Sequence, residues 1–219
     1  MTISATEHTI QVQKTARYYV LEPRGTHVAD MLVIHGYRQL GKYFIARFDS
    51  LAEMGVRVIA PEGLHRFYIE GYDGRVGASW MTKEARLADI EDYIAYLNQV
   101  YQSIGLGDKP LHLLGFSQGG PTACRWMAAS GVPISSLILH STVFPNDFDF
   151  ETQKNRFTRI PSYAVFGSND PFASEKTIAT KMGWMRKKGI APTLLRFEGG
   201  HELHLESIHL IISHLNQVG

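Results

Sequence analysis

The sequence contains a single cysteine, Cys124, among its 219 residues. One cysteine cannot form an intrachain disulfide, so the fold must rely on its core, and the cysteine content gives no sign of an oxidising compartment. Long hydrophobic runs are also lacking, because no stretch approaches the roughly 18 apolar residues of a transmembrane helix. We therefore expect no integral membrane association.

The chain also lacks an excess of charge of either sign. It has 22 Lys and Arg residues against 21 Asp and Glu residues, a formal net charge of +1. Because the charges are so evenly balanced, there is no general reason to expect nucleic acid or an anionic membrane as a partner. The first eight residues have neither the basic start nor the long apolar stretch of a signal peptide. We expect a cytoplasmic protein.

What the sequence does have is a regular alternation of short apolar runs and longer helical periods. Its length and its hydrophobic share of 44% fit one domain over residues 1–219 with a large core. Eight segments are predicted as strands: 9–12, 16–21, 29–34, 56–60, 111–114, 136–140, 162–166 and 193–197. Between the later strands, apolar residues recur at helical spacing. This alternation predicts an α/β fold, a mostly parallel eight-stranded sheet with helices on both faces. Ligands of such sheets bind at the carboxyl ends of the strands.

A candidate nucleophile, Ser117, lies between a predicted strand and a predicted helix. Residues 115–119 read Gly-Phe-Ser-Gln-Gly. In a strand–turn–helix context this pattern predicts a strained turn that holds the serine hydroxyl clear of the sheet, with small residues needed on either side. The helix N-terminus beneath it favours developing negative charge. The alternative is a Gly-Ser turn that merely links a strand to a helix.

A serine nucleophile needs a base and a group that orients the base. Asp170 and His201 each follow a predicted strand, and they occur in the order nucleophile, acid, histidine that suits this kind of turn. His201 would take the serine proton, and Asp170 would fix the imidazole tautomer. His204 is an alternative base, although we expect it inside the last helix. Asp147 and Asp149 are alternative orienting groups, and His140 is predicted as a buried structural histidine.

Attack on an ester carbonyl creates an oxyanion that needs preorganised donors. One predicted donor is the backbone N–H of Gln118, directly after the nucleophile. The second is the backbone N–H of Tyr37, in the loop after the strand 29–34, where Gly36 allows a close turn. The alternative there is a glycine turn beside a buried histidine, His35.

A metal site is not expected. The run from His201 to His204 reads His-Glu-Leu-His, which is not H-E-x-x-H because the second histidine comes one residue too early. No cysteine or carboxylate cluster completes a ligand set. We therefore predict no metal.

Together these motifs resemble one family. His35-Gly36, Ser79-Trp80, the run from Gly115 to Gly120, the run from Gly167 to Asp170 and Gly199-Gly200-His201 follow the order and approximate spacing of the phospholipase/carboxylesterase family. That family includes small bacterial carboxylesterases and acyl-protein thioesterases. The resemblance spans nearly the whole chain, and Phe-Ser-Gln-Gly-Gly is its most specific part.

The resemblance implies an α/β-hydrolase fold without a large cap domain, which cleaves carboxylic esters or thioesters without a cofactor. It implies Ser117, Asp170 and His201 as the triad, with Tyr37 and Gln118 at the oxyanion hole. The chain departs from the family after its His-Gly pair, where Tyr37-Arg38-Gln39 replaces a common Gly-Asp.

The substrate pocket is predicted from the aromatic residues and the departures from the family pattern. Trp80, Phe116 and Arg38 are assigned to it, with Trp80 as a wall, and the aromatic, glycine-rich segment 65–80 is expected to line its acyl side or to be a surface loop pinned by its aromatics. A second segment, 143–157, carries Phe144, Phe148 and Phe150 and is a candidate lid.

The leading functional hypothesis is hydrolysis of a small carboxylic ester through an acyl-enzyme. A thioesterase or lysophospholipase would use the same triad. A non-catalytic binding protein on the same scaffold would usually lose a triad member, whereas each has a candidate here. A cofactor-free haloperoxidase is a further alternative. A dienelactone-type hydrolase would typically use a cysteine nucleophile, and Cys124 is expected within a helix.

Overall fold

A computed structural model of the chain describes residues 5–105, 107–145 and 150–218. Its centre is a seven-stranded sheet in the order β1-β3-β2-β6-β7-β8-β9. The strands are β1 Tyr18–Leu21, β2 Ala29–Ile34, β3 Val56–Pro61, β6 Leu111–Phe116, β7 Ser136–His140, β8 Ser162–Gly167 and β9 Thr193–Phe197. Only β1 pairs antiparallel, with β3, and the other neighbours are parallel. A separate two-stranded hairpin comprises β4 His65–Tyr68 and β5 Val76–Ser79.

Helices cover both faces of the sheet. They are α1 Gly41–Ile45, α2 Asp49–Glu53, α3 Arg86–Ser103, α4 Gly119–Ser130, α5 Phe150–Thr158, α6 Glu175–Lys187 and α7 Leu205–Val218. A short 3-10 helix, Ala46–Phe48, joins α1 to α2. No helix in the described ranges is long and apolar enough to cross a membrane.

The core has two layers because successive side chains of a strand point to opposite faces. In β2, Leu32 and Ile34 pack into the layer beneath α3, α4 and α6, whereas Met31 and Val33 pack into the layer beneath α1, α2 and α7. Every residue of β2 is buried, as the continuous apolar run predicts. The mostly parallel sheet with helices on both faces is thus confirmed.

The predicted strand 9–12 is wrong, so the sheet has seven strands instead of eight. Residues 9–12 are exposed, and the side chains of Ile10 and Val12 have 88% and 78% of their surface accessible. Two alternating apolar residues do not make a strand when no sheet edge or core is there to bury them. The hairpin β4–β5 was not predicted, because no strand was assigned within segment 65–80, which was expected to line the pocket or to be a surface loop.

Helix α3 is confirmed, and so is most of its predicted buried face, the stripe of Leu87, Ile90, Ile94, Leu97 and Tyr101. Leu87 is 72% exposed, whereas Leu97 is fully buried and the other three pack against the core. Tyr93, Tyr96 and Val100 extend the buried face, and the hydroxyl of Tyr96 donates to the carbonyl of Arg17 at 2.6 Å.

Candidate active site

Ser117 occupies a strained turn between β6 and α4. Its φ of 52° lies in the left-handed region, which non-glycine residues seldom adopt. The turn leaves no room for side chains beside it. A Cβ on Gly115 would lie 2.5 Å from the carbonyl oxygen of Gly119, and one on Gly119 would lie 2.1 Å from that of Ile34. The two glycines of the motif are therefore required by packing.

Hydrogen bonds fix this turn to its surroundings. The backbone N–H of Ser117 donates to the carbonyl of His140 at the end of β7, at 3.0 Å. The side chain of Gln118 reaches the strand end of the hairpin, where its Oε1 accepts from the backbone N–H of Trp80 at 3.2 Å and its Nε2 donates to the carbonyl of Met81 at 3.0 Å. The serine is thus held between a sheet strand and the hairpin.

The three residues predicted as a triad are brought together. His201 Nε2 lies 2.9 Å from Ser117 Oγ, and His201 Nδ1 lies 2.8 Å from Asp170 Oδ2. A carboxylate can only accept, so Nδ1 carries the imidazole proton and Nε2 is left to accept from the serine hydroxyl. The Asp170 side chain is fully buried, whereas that of His201 is 20% exposed.

The loops that carry the acid and the base are joined to one another. After β8, the backbone N–H of Ser168 donates to the carbonyl of Phe197 at 2.9 Å, and that of Asn169 donates to the carbonyl of Gly199 at 2.8 Å. The second oxygen of Asp170, Oδ1, accepts from the backbone N–H of Phe172 at 2.9 Å. Both carboxylate oxygens therefore have donors, which locks the side chain in one orientation.

Two aromatic rings flank the imidazole of His201. The ring of Phe172 meets it edge-on at a centroid distance of 4.8 Å, and the ring of Phe116 lies at 5.3 Å. Phe172 is 77% exposed and covers the solvent side, whereas Phe116 is buried. The rings restrict the imidazole to the plane in which it reaches both Ser117 and Asp170.

The predicted oxyanion donors lie beside the serine. Tyr37 lines the same cavity as Ser117, and its ring stacks on Phe67 of the hairpin at 5.4 Å. In the part of the chain that the structure describes, the backbone N–H groups of Tyr37 and Gln118 donate to no protein acceptor, while the neighbouring N–H of Arg38 donates to Ala78. Two unpaired backbone donors beside a nucleophile can stabilise an oxyanion.

A cavity of about 540 Å³ opens at Ser117 and His201. Arg38, which was assigned to the pocket, is among its lining residues. Trp80 does not: it is fully buried, and its Nε1 donates to the carbonyl of His35 at 2.9 Å, so it is a core residue rather than a pocket wall. Phe116 likewise lies beneath His201 and does not line the cavity.

Several lining residues escaped the sequence analysis. They are Ser141, Thr142, Phe166, Phe172, Ala173, Thr177 and Ile178, which line it together with Val143 of the candidate lid. The signal that could have found most of them is position, since they lie at or directly beyond the carboxyl ends of β7 and β8. Most of these lining side chains are apolar, which indicates that the cavity can accept a hydrocarbon group.

Two other histidines at strand ends are structural. His35 and His140 are both fully buried, and burial lowers the pKa of His35 to about 4 and that of His140 to about 3. His35 Nε2 accepts from the backbone N–H of Gly63 at 2.9 Å, and His140 Nε2 accepts from the backbone N–H of His204 at 3.0 Å. Both are neutral rings that satisfy backbone groups, as predicted for His140.

His204 directly precedes α7 instead of lying inside it. Its Nδ1 accepts from the backbone N–H of Ser207 at 3.3 Å, and its ring stacks on Phe197 at 4.4 Å. It therefore acts as a helix cap, and it makes no contact with Ser117. The competing orienting groups, Asp147 and Asp149, lie outside the described residues.

The described parts of the candidate lid, 143–145 and 150–157, hold a buried aromatic cluster. Phe144, Phe150 and Phe157 are each less than 5% exposed, and the rings of Phe144 and Phe157 meet edge-on at 4.8 Å. Phe148 lies outside the described residues. Of the described residues of this segment, Val143 alone lines the cavity at Ser117. The cluster packs against the core, which is unlike a lid.

Side chains that could bind a metal do not cluster anywhere in residues 5–105, 107–145 and 150–218. Cys124, the alternative nucleophile type, is fully buried within α4, and burial raises the pKa of its thiol. A buried, protonated thiol is inert.

Solved structures share this fold. Acyl-protein thioesterase 2 from Zea mays has a TM-score of 0.70 at 20% identity, over 93% of this chain and 99% of that one. A carboxylesterase from Bacillus cereus has a TM-score of 0.68 at 13% identity, over 93% and 95%. A carboxyl esterase from Bacillus coagulans has a TM-score of 0.67 at 16% identity, over 92% and 94%. At such low identity the likeness is one of fold.

No curated protein matches the chain in sequence. A family model does: the model described as "Alpha/beta hydrolase family" matches residues 31–199. The match begins in β2, ends two residues before His201, and so includes Ser117 and Asp170. Because it covers well over half of the sequence, the chain belongs to the alpha/beta hydrolase family.

Proposed function

We propose that the protein is a serine hydrolase that cleaves carboxylic esters through an acyl-enzyme on Ser117. The observation that carries this proposal is the continuous chain of hydrogen bonds from Ser117 Oγ to His201 at 2.9 Å and from His201 to Asp170 at 2.8 Å. A serine hydroxyl is a weak nucleophile at neutral pH, and this arrangement is the one that activates it.

In the first half-reaction the Ser117 oxygen attacks the ester carbonyl while His201 Nε2 accepts its proton. The imidazolium that forms is stabilised by the buried carboxylate of Asp170, which needs no reorganisation because its position is already fixed. The N–H groups of Tyr37 and Gln118 donate to the carbonyl oxygen and stabilise the negative charge that develops on it. The C–O bond then breaks, and His201 returns the proton to the departing alcohol.

In the second half-reaction water replaces the alcohol. His201 Nε2 takes a proton from the water as the water oxygen attacks the acyl carbon, and the same two N–H groups donate to the oxyanion. His201 then returns the proton to Ser117 as the acid leaves. Each proton taken by His201 is returned in the same half-reaction. No cofactor is required.

The cavity at Ser117 suits an ester with a hydrocarbon group of modest size. Its volume is about 540 Å³, and Val143, Phe166 and Ile178 contribute apolar surface. Thioesters and lysophospholipids are a second candidate class, since the same apolar surface would accept a longer acyl chain and the same triad would attack a thioester carbonyl.

The experiment is the pair of variants Ser117→Ala and Ser168→Ala. Both remove a hydroxyl at this edge of the sheet, but Ser168 lies in the loop beyond β8 and is exposed. We expect the first to abolish both the turnover of short p-nitrophenyl esters and covalent labelling by a fluorophosphonate, and the second to retain both. Unchanged turnover in Ser117→Ala would refute the proposal, and an ester and thioester series of increasing acyl length would separate the two substrate classes.

A further inference from the structure

A second cavity of about 550 Å³ lies beside the loop that follows β2, and three arginines line it: Arg38, Arg47 and Arg75. We call this cavity the arginine groove. Its other lining residues are Tyr37, Gln39, Leu40, Tyr43, Phe44, Val76 and Leu203. No acidic side chain is among them, although the whole chain is nearly neutral, so the positive charge is local.

The three arginines come from separate parts of the chain. Arg38 follows β2, Arg47 belongs to the 3-10 helix between α1 and α2, and Arg75 directly precedes β5 of the hairpin. All three are exposed, and in the described part of the chain none forms an ion pair with an acidic side chain. Cations gathered from three elements without counter-charges raise the potential for an anion in the groove.

Arg38, which lines the groove, has a backbone conformation that non-glycine residues seldom adopt. Its φ is 68°, in the left-handed region. The hairpin maintains this conformation, because the backbone N–H of Arg38 donates to the carbonyl of Ala78 at 2.9 Å. A Cβ on Gly77 would lie 2.6 Å from the carbonyl oxygen of Arg38, so the hairpin approaches this closely only with glycine there.

Arg47 connects the groove to the loop of the base. Its Nη2 donates to the carbonyl of Leu203 at 3.4 Å, two residues beyond His201. Leu203 is itself buried and lines the groove. One wall of the groove is therefore continuous with the loop that positions the proposed base.

The groove and the cavity at Ser117 share two lining residues, Tyr37 and Arg38. A substrate whose carbonyl oxygen is bound by the N–H of Tyr37 can therefore extend one arm into the apolar cavity and the other into the groove. Arg38 lines both, so it is close to either arm.

The geometry points to a substrate class for the proposed hydrolase: esters or thioesters that carry an oxyanionic group, a carboxylate or a phosphate, which the arginine groove binds. The inference rests on the proposed function and goes beyond it, because the triad alone has no preference for charge. Arginine suits this role, since its planar guanidinium donates to carboxylate and phosphate oxygens in pairs.

The test compares esters that differ only in a negative charge. For the acyl side the pair is mono-p-nitrophenyl adipate and its methyl ester. For the alcohol side the pair is p-acetoxybenzoate and its methyl ester, with p-acetoxyphenyl phosphate as the phosphate analogue. We expect kcat/KM to favour the anionic member at least about tenfold in one of the pairs, mostly through KM. The phosphate analogue shows which oxyanion the groove prefers.

Variants then assign the preference to the groove. We expect Arg75→Gln, and Arg38→Asn, which tolerates a positive φ, each to lower the ratio of anionic to neutral kcat/KM about tenfold, with Arg75→Lys retaining part of it. The matched control is Arg186→Gln, which removes an exposed arginine at the far end of α6 and should leave the ratio unchanged. In the unmodified protein, raising the salt concentration should also lower the ratio.

The outcomes separate this inference from the proposed function. Hydrolysis of both members at equal rates, or a preference that survives Arg75→Gln and Arg38→Asn, would overturn the inference and leave the ester hydrolase intact. Absence of any turnover would overturn the proposed function. The groove is then judged by calorimetric binding of adipate, which should be about tenfold weaker in Arg75→Gln than in Arg186→Gln; equal affinities there would overturn it as well.

Discussion

Two histidine regions lie side by side at the carboxyl edge of the sheet. In the first, His201 stands between Ser117 and Asp170 with its side chain 20% exposed. In the second, His140 is fully buried and accepts from the backbone N–H of His204. Phe116 separates them, with its ring 5.3 Å from the ring of His201 and 5.6 Å from that of His140.

The two histidines differ in the groups that contact their ring nitrogens. A carboxylate beside Nδ1 and a hydroxyl beside Nε2 equip His201 to gain and lose a proton. A backbone N–H beside Nε2 fixes His140 as a neutral acceptor, and burial lowers its pKa to about 3. In the proposed reaction, the same residue type beyond neighbouring strands thus serves proton transfer in one region and packing in the other.

The largest expected effect is that of His201→Ala on turnover. Without the proposed base, kcat/KM for a neutral p-nitrophenyl ester should fall on the order of 10⁴-fold or more. The variant removes one of the two donors to Asp170, but the site is partly open to water, so the free energy of unfolding should fall by only about 1–2 kcal/mol. Steady-state kinetics and urea unfolding measure the two quantities.

His204→Ala serves as the control for that variant, since His204 was the competing base and makes no contact with Ser117. It should retain most of the turnover. If His204→Ala abolished turnover and His201→Ala did not, the assignment of the two regions would be reversed.

His140→Ala should have the opposite signature. It leaves a cavity in the core and an unpaired backbone N–H at His204, so the free energy of unfolding should fall by about 2–4 kcal/mol. We expect kcat/KM of the folded protein to fall less than tenfold. Urea unfolding gives the stability, and His214→Ala, an exposed histidine on α7, is the control that should change neither quantity.

Much of this edge could be predicted from the sequence, because short motifs at strand ends bring their side chains to one place in a parallel sheet. Ser117, Asp170 and His201 are near one another for that reason. The position of Trp80 could not be predicted, since an aromatic beside a glycine-rich segment suits a pocket wall as well as a core. Nor could the arginine groove, which depends on how the hairpin packs against the loop at Arg38, a contact between segments distant in sequence.

A smaller effect concerns the pH dependence of stability and a third buried histidine, His112, which lies near the amino end of β6. Burial lowers its pKa to about 4, below the ordinary value of 6.5. Between these values the unfolded chain binds a proton that the folded chain does not, so stability is full above pH 6.5 and is lost as the pH falls toward 4. The loss is up to about 1.4 kcal/mol per pH unit for this group.

His112→Asn should therefore reduce the slope of unfolding free energy against pH, measured by urea unfolding between about pH 6 and pH 5, by roughly that amount. His214→Asn, whose ring is exposed, should leave the slope unchanged. An unaltered slope in His112→Asn would mean that the ring is protonated in the folded protein at these pH values.

The smallest effect is expected for His204→Ala on stability. The His204 ring accepts from the backbone N–H of Ser207 in the first turn of α7 and stacks on Phe197 at 4.4 Å. Loss of a helix cap costs about 1 kcal/mol, so the urea midpoint should fall slightly while kcat/KM stays nearly constant. His204→Asn restores a capping side chain but no ring, and it should recover part of the loss. Equal losses in the two variants would assign the contribution of His204 to its stacking on Phe197 instead of to the cap.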